Sequence, residues 1–179
     1  MNFVLIHGMS APLDESFGIK VKQRLVNHGF GIIEPLFPLE HEITLDKWLE
    51  VMDKIKVEDN QNYLCHSLGC NFIIKYLFHK KLKADTIIAV AGGYFNESQV
   101  WPGFSPIKDF IPTEEELDYF RKNTKAVYLI YSNNDHIYTQ SYFDAYMEKT
   151  GAKGVFVKDQ GHFGRSSKVK DIPIIETLL

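Results

Sequence analysis

The sequence predicts an α/β fold built on a six-stranded parallel sheet, and three observations support this prediction. Six short apolar runs recur along the 179 residues, as expected of strands that are buried on both faces. Segments with helical apolar spacing separate these runs, so strands and helices alternate. The run at residues 63–65 leads into a sharp turn with a serine at its apex, and a helical pattern follows at once.

Composition limits the kinds of protein that this chain can be. Its length predicts one domain over residues 1–179 with a sizeable core. The net charge is −3 and no basic run occurs, so we expect no nucleic-acid partner and no membrane surface. No apolar run reaches transmembrane length, and the N-terminus lacks the features of a signal peptide. Cys65 and Cys70 are interpreted as reduced core residues, which favours a cytoplasmic location.

The predicted elements follow one another in a regular order. The strands cover residues 3–6, 30–33, 63–65, 86–91, 126–131 and 154–157, and the helices cover residues 14–28, 45–55, 68–78, 113–121, 139–149 and 172–179. We expect the strand order 2-1-3-4-5-6 with helices on both faces of the sheet. In open sheets of this kind the ligand lies beyond the carboxyl ends of the strands, where the strand order reverses. The loops after strands one, three, five and six should therefore converge on one cleft.

The serine turn lies within residues 61–71, QNYLCHSLGCN. A strand, a sharp turn and a helix in immediate succession are typical of the nucleophile elbow, usually written G-x-S-x-G. Such a turn pushes the hydroxyl of Ser67 out of the chain and leaves a helix N-terminus beneath it. The positions two before and two after the serine need small residues, and Cys65 and Gly69 occupy them. The alternative is an ordinary Ser-Leu-Gly turn with no chemical role.

Two further residues complete a candidate catalytic triad with this serine. The chain order Ser67, Asp135, His162 is the one expected of α/β-hydrolases. In such a triad His162 takes the proton from Ser67 as it attacks an acyl carbon, and Asp135 orients and stabilises the charged imidazole. Asp159 is the runner-up for the acidic role, but it shares a loop with His162. In the competing interpretation, Asp135 and the two asparagines before it only build a turn.

The oxyanion of an acyl-transfer intermediate needs hydrogen-bond donors that are fixed before it forms. The backbone N–H groups of Met9, after the first strand, and Leu68, at the start of the elbow helix, are the expected pair. We expect His7 to hydrogen-bond within the loop that carries Met9. We expect His66 to pack, because its side chain should point away from the serine hydroxyl. No Cys/His spacing indicates a metal site, and no cofactor is expected.

Residues 94–112 interrupt the alternation of strands and helices. Aromatic residues lie here among prolines and glycines with no clear period. A long loop inside a compact domain is typically functional or lid-like. Trp101 and Phe104 are therefore the expected walls of a shallow substrate pocket that favours short acyl groups. In the alternative interpretation, the segment is a surface crossover whose aromatic residues cap the core.

With these motifs the chain resembles the small serine hydrolases of the retinoblastoma-binding-protein-9 type. The resemblance rests on Phe-Val-Leu-Ile-His-Gly at residues 3–8, His-Ser-Leu-Gly-Cys at 66–70, Ser-Asn-Asn-Asp at 132–135 and Gly-His-Phe at 161–163. It implies a minimal α/β-hydrolase fold without a large cap domain, with Ser67, Asp135 and His162 as the triad. Members of this family are mostly regarded as esterases, and some act as peptidases or amidases. Cys65 departs from the usual first glycine of the elbow.

The sequence thus predicts a serine hydrolase that cleaves small esters through an acyl-enzyme intermediate. Amide or peptide cleavage by the same triad is the first alternative. A protein-binding role on a hydrolase scaffold is the second, since a fold does not fix a function. We expect a small-molecule ester or amide as the substrate, and the sequence leaves a protein partner open.

Overall fold

The fold is organised around a parallel sheet. The computed structural model describes residues 1–96, 98 and 105–179, without the side chains of residues 105 and 106. The strands are β1 (Asn2–Ile6), β2 (Gly31–Ile33), β3 (Gln61–His66), β4 (Ala84–Val90), β5 (Thr124–Tyr131) and β6 (Lys153–Phe156). Their order is β2-β1-β3-β4-β5-β6, and all neighbours are parallel. The predicted strand order is therefore confirmed.

Helices connect these strands, and side chains cap the starts of two of them, α2 and α4. They are α1 (Gly18–Asn27), α2 (Leu45–Asp53), α3 (Leu68–Lys80), α4 (Glu114–Asn123) and α5 (Gln140–Thr150). Thr44 caps α2 by accepting the N–H of Lys47 at 3.2 Å. Thr113 and Glu116 form a capping box at the start of α4. Among the described residues, no helix is both long and apolar enough to cross a membrane.

The core lies on both faces of the sheet, because alternate residues of a strand point to opposite sides. In β1, Val4 and Ile6 pack with the buried faces of α2, α3, α4 and α5. Phe3 and Leu5 point the other way and pack with α1 and the C-terminal segment. Strand β3 is buried along its whole length. The serine turn therefore follows a strand that is fixed from both sides.

The structure corrects two predicted helices. The first begins at Gly18 and not near residue 14, because a 3-10 helix over Leu13–Glu15 precedes it. The Ser16 hydroxyl closes that turn by donating to the Leu13 carbonyl at 3.1 Å, and such local bonds compete with an α-helix. The terminal element is a 3-10 helix over Pro173–Leu178 and not an α-helix over 172–179. The Ile175 N–H donates to the Ile172 carbonyl at 3.2 Å, which is the spacing of a 3-10 bond.

The aromatic segment at residues 94–112 is described in part. It contains a 3-10 helix over Ser105–Phe110. Phe110 is fully buried, and its ring centroid lies 5.1 Å from that of Trp48, so this residue caps the core as the alternative interpretation expects. Trp101 and Phe104 lie outside the described residues, and their assignment to a substrate pocket stays a prediction.

Candidate active site

Ser67 joins β3 to α3 in a backbone conformation that is unusual for any residue but glycine. Its φ is 52° and its ψ is −119°, which is a strained combination. Two hydrogen bonds hold this turn: the Ser67 N–H donates to the Val90 carbonyl at 3.0 Å, and the Cys70 N–H donates to the Ser67 carbonyl at 3.0 Å. Strain of this kind persists only where the surroundings fix it, and it commonly marks a functional position.

Both cysteines beside the turn are free and buried, as predicted. The Cys70 thiol donates to the Cys65 carbonyl at 3.3 Å. Burial raises the pKa of both thiols. Neither thiol is therefore activated for nucleophilic attack.

The structure brings Ser67, His162 and Asp135 together in a chain of hydrogen bonds. Nε2 of His162 lies 2.9 Å from the Ser67 hydroxyl, and Nδ1 of His162 lies 2.7 Å from Oδ2 of Asp135. A carboxylate can only accept, so Nδ1 carries the proton of a neutral imidazole, and Nε2 has a lone pair that faces the serine hydroxyl. This arrangement suits proton transfer from Ser67 to His162.

Asp135 is held as a carboxylate despite its burial. Desolvation by burial opposes the ionisation of Asp135. The hydrogen bonds from His162 and from two backbone donors together outweigh this effect, so the pKa of Asp135 is lowered. The backbone donors are the N–H groups of Ile137 and Tyr138, at 2.7 and 2.9 Å from Oδ1. Both carboxylate oxygens are thus occupied, which fixes the direction in which Asp135 faces His162.

The runner-up acid, Asp159, lies elsewhere. Its side chain is exposed, and Oδ1 accepts the side-chain amide of Asn133 at 3.0 Å. In return, the Asp159 N–H donates to Oδ1 of Asn133 at 2.8 Å. Asp159 therefore belongs to a surface link between two loops, and the structure does not bring it to His162.

The asparagines and serine before Asp135 do more than build a turn. Oδ1 of Asn134 accepts the Gly161 N–H at 2.6 Å, and the Ser132 hydroxyl accepts the Gln160 N–H at 2.8 Å. These bonds tie the loop after β5 to the loop that carries His162. Sequence reasoning missed this connection, although the polar run at residues 132–135 was its visible sign.

The loop after β1 is fixed by His7, as expected. Nε2 of His7 accepts the Phe37 N–H at 3.0 Å, so the proton is on Nδ1, which donates to the Gly8 carbonyl at 2.7 Å. Burial is the main cause that lowers the pKa of His7. The Gly8 carbonyl and the Met9 N–H belong to one trans peptide and point in opposite directions. The bond from His7 therefore turns the Met9 N–H away from His7.

The described residues enclose a cavity of about 180 Å³ over Ser67. Small and polar residues dominate its lining, which comprises Gly8, Met9, Ser10, Ala11, Pro12, Ser16, His66, Ser67, His136, Ile137, His162, Gly164, Arg165 and Ser166. The cavity thus lies between the loop after β1 and the loop that carries His162. No group of three or more His, Cys, Asp or Glu side chains in the described part of the chain could hold a metal ion.

Tyr138 is a further site residue that the sequence did not reveal. Its ring centroid lies 5.4 Å from that of His162. Burial is the main cause that raises its pKa. A Cβ atom on Gly93 would lie 2.8 Å from the Tyr138 ring, so the ring packs directly against the chain that follows β4.

Similar proteins agree with this architecture. The YdeN protein of Bacillus subtilis (strain 168) is 25% identical over 179 residues, which cover 98% of this chain and 92% of YdeN. The crystal structure of the ydeN gene product has a TM-score of 0.86 at 23% identity, and the match covers 99% of this chain and 96% of that chain.

Two other solved structures share the fold at lower identity. A YdeN-like protein from Pectobacterium atrosepticum has a TM-score of 0.72 at 14% identity, over 99% of this chain and 88% of its own. A monoacylglycerol lipase from Paleococcus ferrophilus has a TM-score of 0.66 at 15% identity, over 89% of this chain and 85% of its own.

A match to a protein family covers almost the whole chain. The family is described as Serine hydrolase, and its model matches residues 4–179. That range includes the last three residues of β1, the other five strands and the turn that carries Ser67. The chain belongs to the serine hydrolase family.

Proposed function

We propose that this protein hydrolyses small carboxylic esters through an acyl-enzyme intermediate. Ser67 is the nucleophile, His162 is the general base, and Asp135 orients the histidine. The observation that carries the proposal is the hydrogen-bond chain in which His162 lies 2.9 Å from the Ser67 hydroxyl and 2.7 Å from the Asp135 carboxylate. This is the geometry that activates a serine hydroxyl, which is otherwise a weak nucleophile.

The first half of the reaction forms the acyl-enzyme. His162 takes the proton of the Ser67 hydroxyl as the serine oxygen attacks the carbonyl carbon of the ester. The resulting imidazolium is stabilised by Asp135 and then gives its proton to the departing alcohol. In the second half, His162 removes a proton from water as the water oxygen attacks the acyl carbon. The bond between the acyl carbon and the Ser67 oxygen then breaks, the carboxylic acid leaves, and His162 returns the proton to Ser67.

The negative charge of each tetrahedral intermediate needs fixed donors. We assign this role to the backbone N–H groups of Met9 and Leu68. Leu68 opens α3, and the first N–H groups of a helix have no intrahelical partner. The His7 bond to the Gly8 carbonyl supports the other half of the assignment, because it fixes the peptide that carries the Met9 N–H.

The size of the cavity supports a small substrate. Pockets for drug-sized ligands typically have volumes of roughly 300–1,000 Å³, whereas the described residues enclose about 180 Å³ over Ser67. We therefore infer a short acyl group, in line with the shallow pocket expected from the sequence. Trp101 and Phe104 remain our candidates for its further wall.

Within the serine hydrolase family, we propose a place with the retinoblastoma-binding-protein-9-type members, on the four motifs that they share with this chain. The two buried free thiols suit a reducing, cytoplasmic compartment, which we also propose. Amide cleavage remains the alternative on the same triad, since the attack on an acyl carbon is common to both reactions.

A substrate series tests this proposal. Initial rates are measured on p-nitrophenyl acetate, butyrate, octanoate and laurate, and on the p-nitroanilide of the fastest acyl group. We expect the rate to peak at acetate or butyrate and the ester to react faster than its anilide. A peak at laurate would contradict the small pocket, and a faster anilide would favour the amidase alternative. Ser67→Ala, the matched control, should lose turnover by on the order of a millionfold.

A further inference from the structure

His66, the residue directly before Ser67, contacts the loop that carries His162. Its Nε2 atom lies 2.9 Å from the backbone carbonyl oxygen of His162, and the side chain is buried. A carbonyl oxygen can only accept, so Nε2 of His66 carries a proton and donates it. Burial is the main cause that lowers the pKa of His66 to about 3. The ring is therefore the neutral Nε2–H tautomer at neutral pH.

The loop around His162 is held from two sides. On the β5 side, two backbone N–H groups of this loop donate to the side chains of Ser132 and Asn134 at 2.8 and 2.6 Å. On the β3 side, the donor is His66. Phe163, the next residue of the loop, has a φ of 55°, which costs energy for a bulky residue and needs outside support. The bond from His66 supplies such support beside the serine.

We propose that His66 is a positioning residue that sets the distance between the nucleophile and its base. Two consecutive residues then hold His162 at two points: Ser67 contacts its ring and His66 contacts its backbone, each at 2.9 Å. The His66 ring packs edge-on against Phe17, with centroids 5.6 Å apart, which fixes the direction of the donor. This inference rests on the proposed function, because it assigns His66 a role toward the base of that triad.

Two substitutions separate this role from simple packing. His66→Gln keeps an N–H donor near the position of Nε2, although it has no aromatic ring. His66→Phe keeps a ring against Phe17 but has no donor, so it leaves the buried His162 carbonyl without this partner. A packing role requires only the ring, whereas a positioning role requires the donor.

The first readout is steady-state hydrolysis of p-nitrophenyl acetate. We expect kcat of His66→Phe to fall by about a hundredfold with little change in KM, since a displacement of about 1 Å between reacting groups has an effect of that size. His66→Gln should recover most of this loss. A kcat near the wild-type value in His66→Phe, or equal losses in both variants, would overturn the proposal. His66→Leu is the donor-free substitute if the Phe variant does not fold.

The second readout needs no substrate. The low-field proton resonance of His162 Nδ1–H reports the bond to Asp135 in the resting protein. We expect it to move upfield and exchange faster in His66→Phe and to stay near its wild-type position in His66→Gln. An unchanged resonance in His66→Phe would overturn the role of His66. A wild-type protein that hydrolyses no ester would instead count against the proposed function, while this resonance would still test the positioning role.

Discussion

Oδ2 of Asp135 lies 2.7 Å from Nδ1 of His162, and this contact distinguishes the two candidate acids. The side chain of Asp135 is 1% exposed, whereas that of Asp159 is 59% exposed and is bound to Asn133. A buried carboxylate fixes the histidine tautomer far better than an exposed one, because solvent screens the exposed charge. The geometry therefore favours Asp135 as the residue that orients the base.

Asp135→Asn should lower kcat by roughly ten-thousandfold, because an amide can present an N–H to Nδ1 and favour the wrong histidine tautomer. The matched control is Asp159→Asn, which changes the same functional group on the neighbouring loop and should retain nearly full activity. The measurement is kcat on a short p-nitrophenyl ester. Near-normal turnover in Asp135→Asn would remove this residue from the mechanism.

Gly69→Ala should destabilise the protein by about 2 kcal/mol or more, since overpacking of a filled site commonly has a cost of this order. A Cβ atom at this position would lie 2.7 Å from the His7 carbonyl oxygen and 2.9 Å from that of Ile6, and both are backbone atoms. Helix α3 would have to move away from β1, which should also lower activity.

Gly151→Ala is the control for this substitution. Gly151 has a φ of +75°, but no atom lies within 4 Å of a Cβ built there. Gly151→Ala should therefore lower the free energy of unfolding by only roughly 1 kcal/mol, because alanine is less favourable than glycine at a positive φ. Urea unfolding measures both variants. Equal losses of stability would show that close packing at Gly69 is not the constraint.

Two buried histidines predict a loss of stability in weak acid. Burial lowers the pKa of His7 and His66 below the ordinary value of 6.5, to about 3 for His66. Below pH 6.5 the unfolded chain binds protons that the folded protein does not bind, so the free energy of unfolding falls as the pH decreases. The slope should approach about 1.4 kcal/mol per pH unit for His66.

Urea unfolding at about pH 7 and about pH 5 measures this loss. Both pH values lie above the range in which most carboxylates titrate. His66→Gln removes one of the two groups and should lose less stability between these conditions than the wild type. His79→Gln, at an exposed position on α3, should behave as the wild type. An equally steep loss in His66→Gln would contradict the assignment of His66 as a buried neutral histidine.

The sheet could be predicted from the sequence because its inner strands β1, β3 and β4 are largely buried. Strand β1, for example, is a short continuous apolar run, Phe-Val-Leu-Ile, and such a run is typical of a buried parallel strand. The positions of Ser67, Asp135 and His162 followed from the same pattern, since each lies in the turn or loop after a strand and parallel strands present these ends at one edge.

Contacts between loops could not be predicted in this way. The donor role of His66 toward the His162 carbonyl depends on how two segments 96 residues apart meet, and no local pattern encodes that distance. The contact of Tyr138 with His162 is of the same kind. The start of α1 was misplaced because the competing turn at Ser16 depends on a single hydroxyl.

The most direct test of the central claim is the covalent labelling of Ser67 by a fluorophosphonate, followed by intact-mass and peptide analysis. A serine activated by His162 should take up a single adduct per chain, on the peptide that contains Ser67, and Ser67→Ala should take up none. The two buried thiols are an internal control. Their raised pKa keeps Cys65 and Cys70 protonated, so neither should be labelled. An adduct in Ser67→Ala, or on either cysteine, would contradict the assignment of Ser67 as the nucleophile.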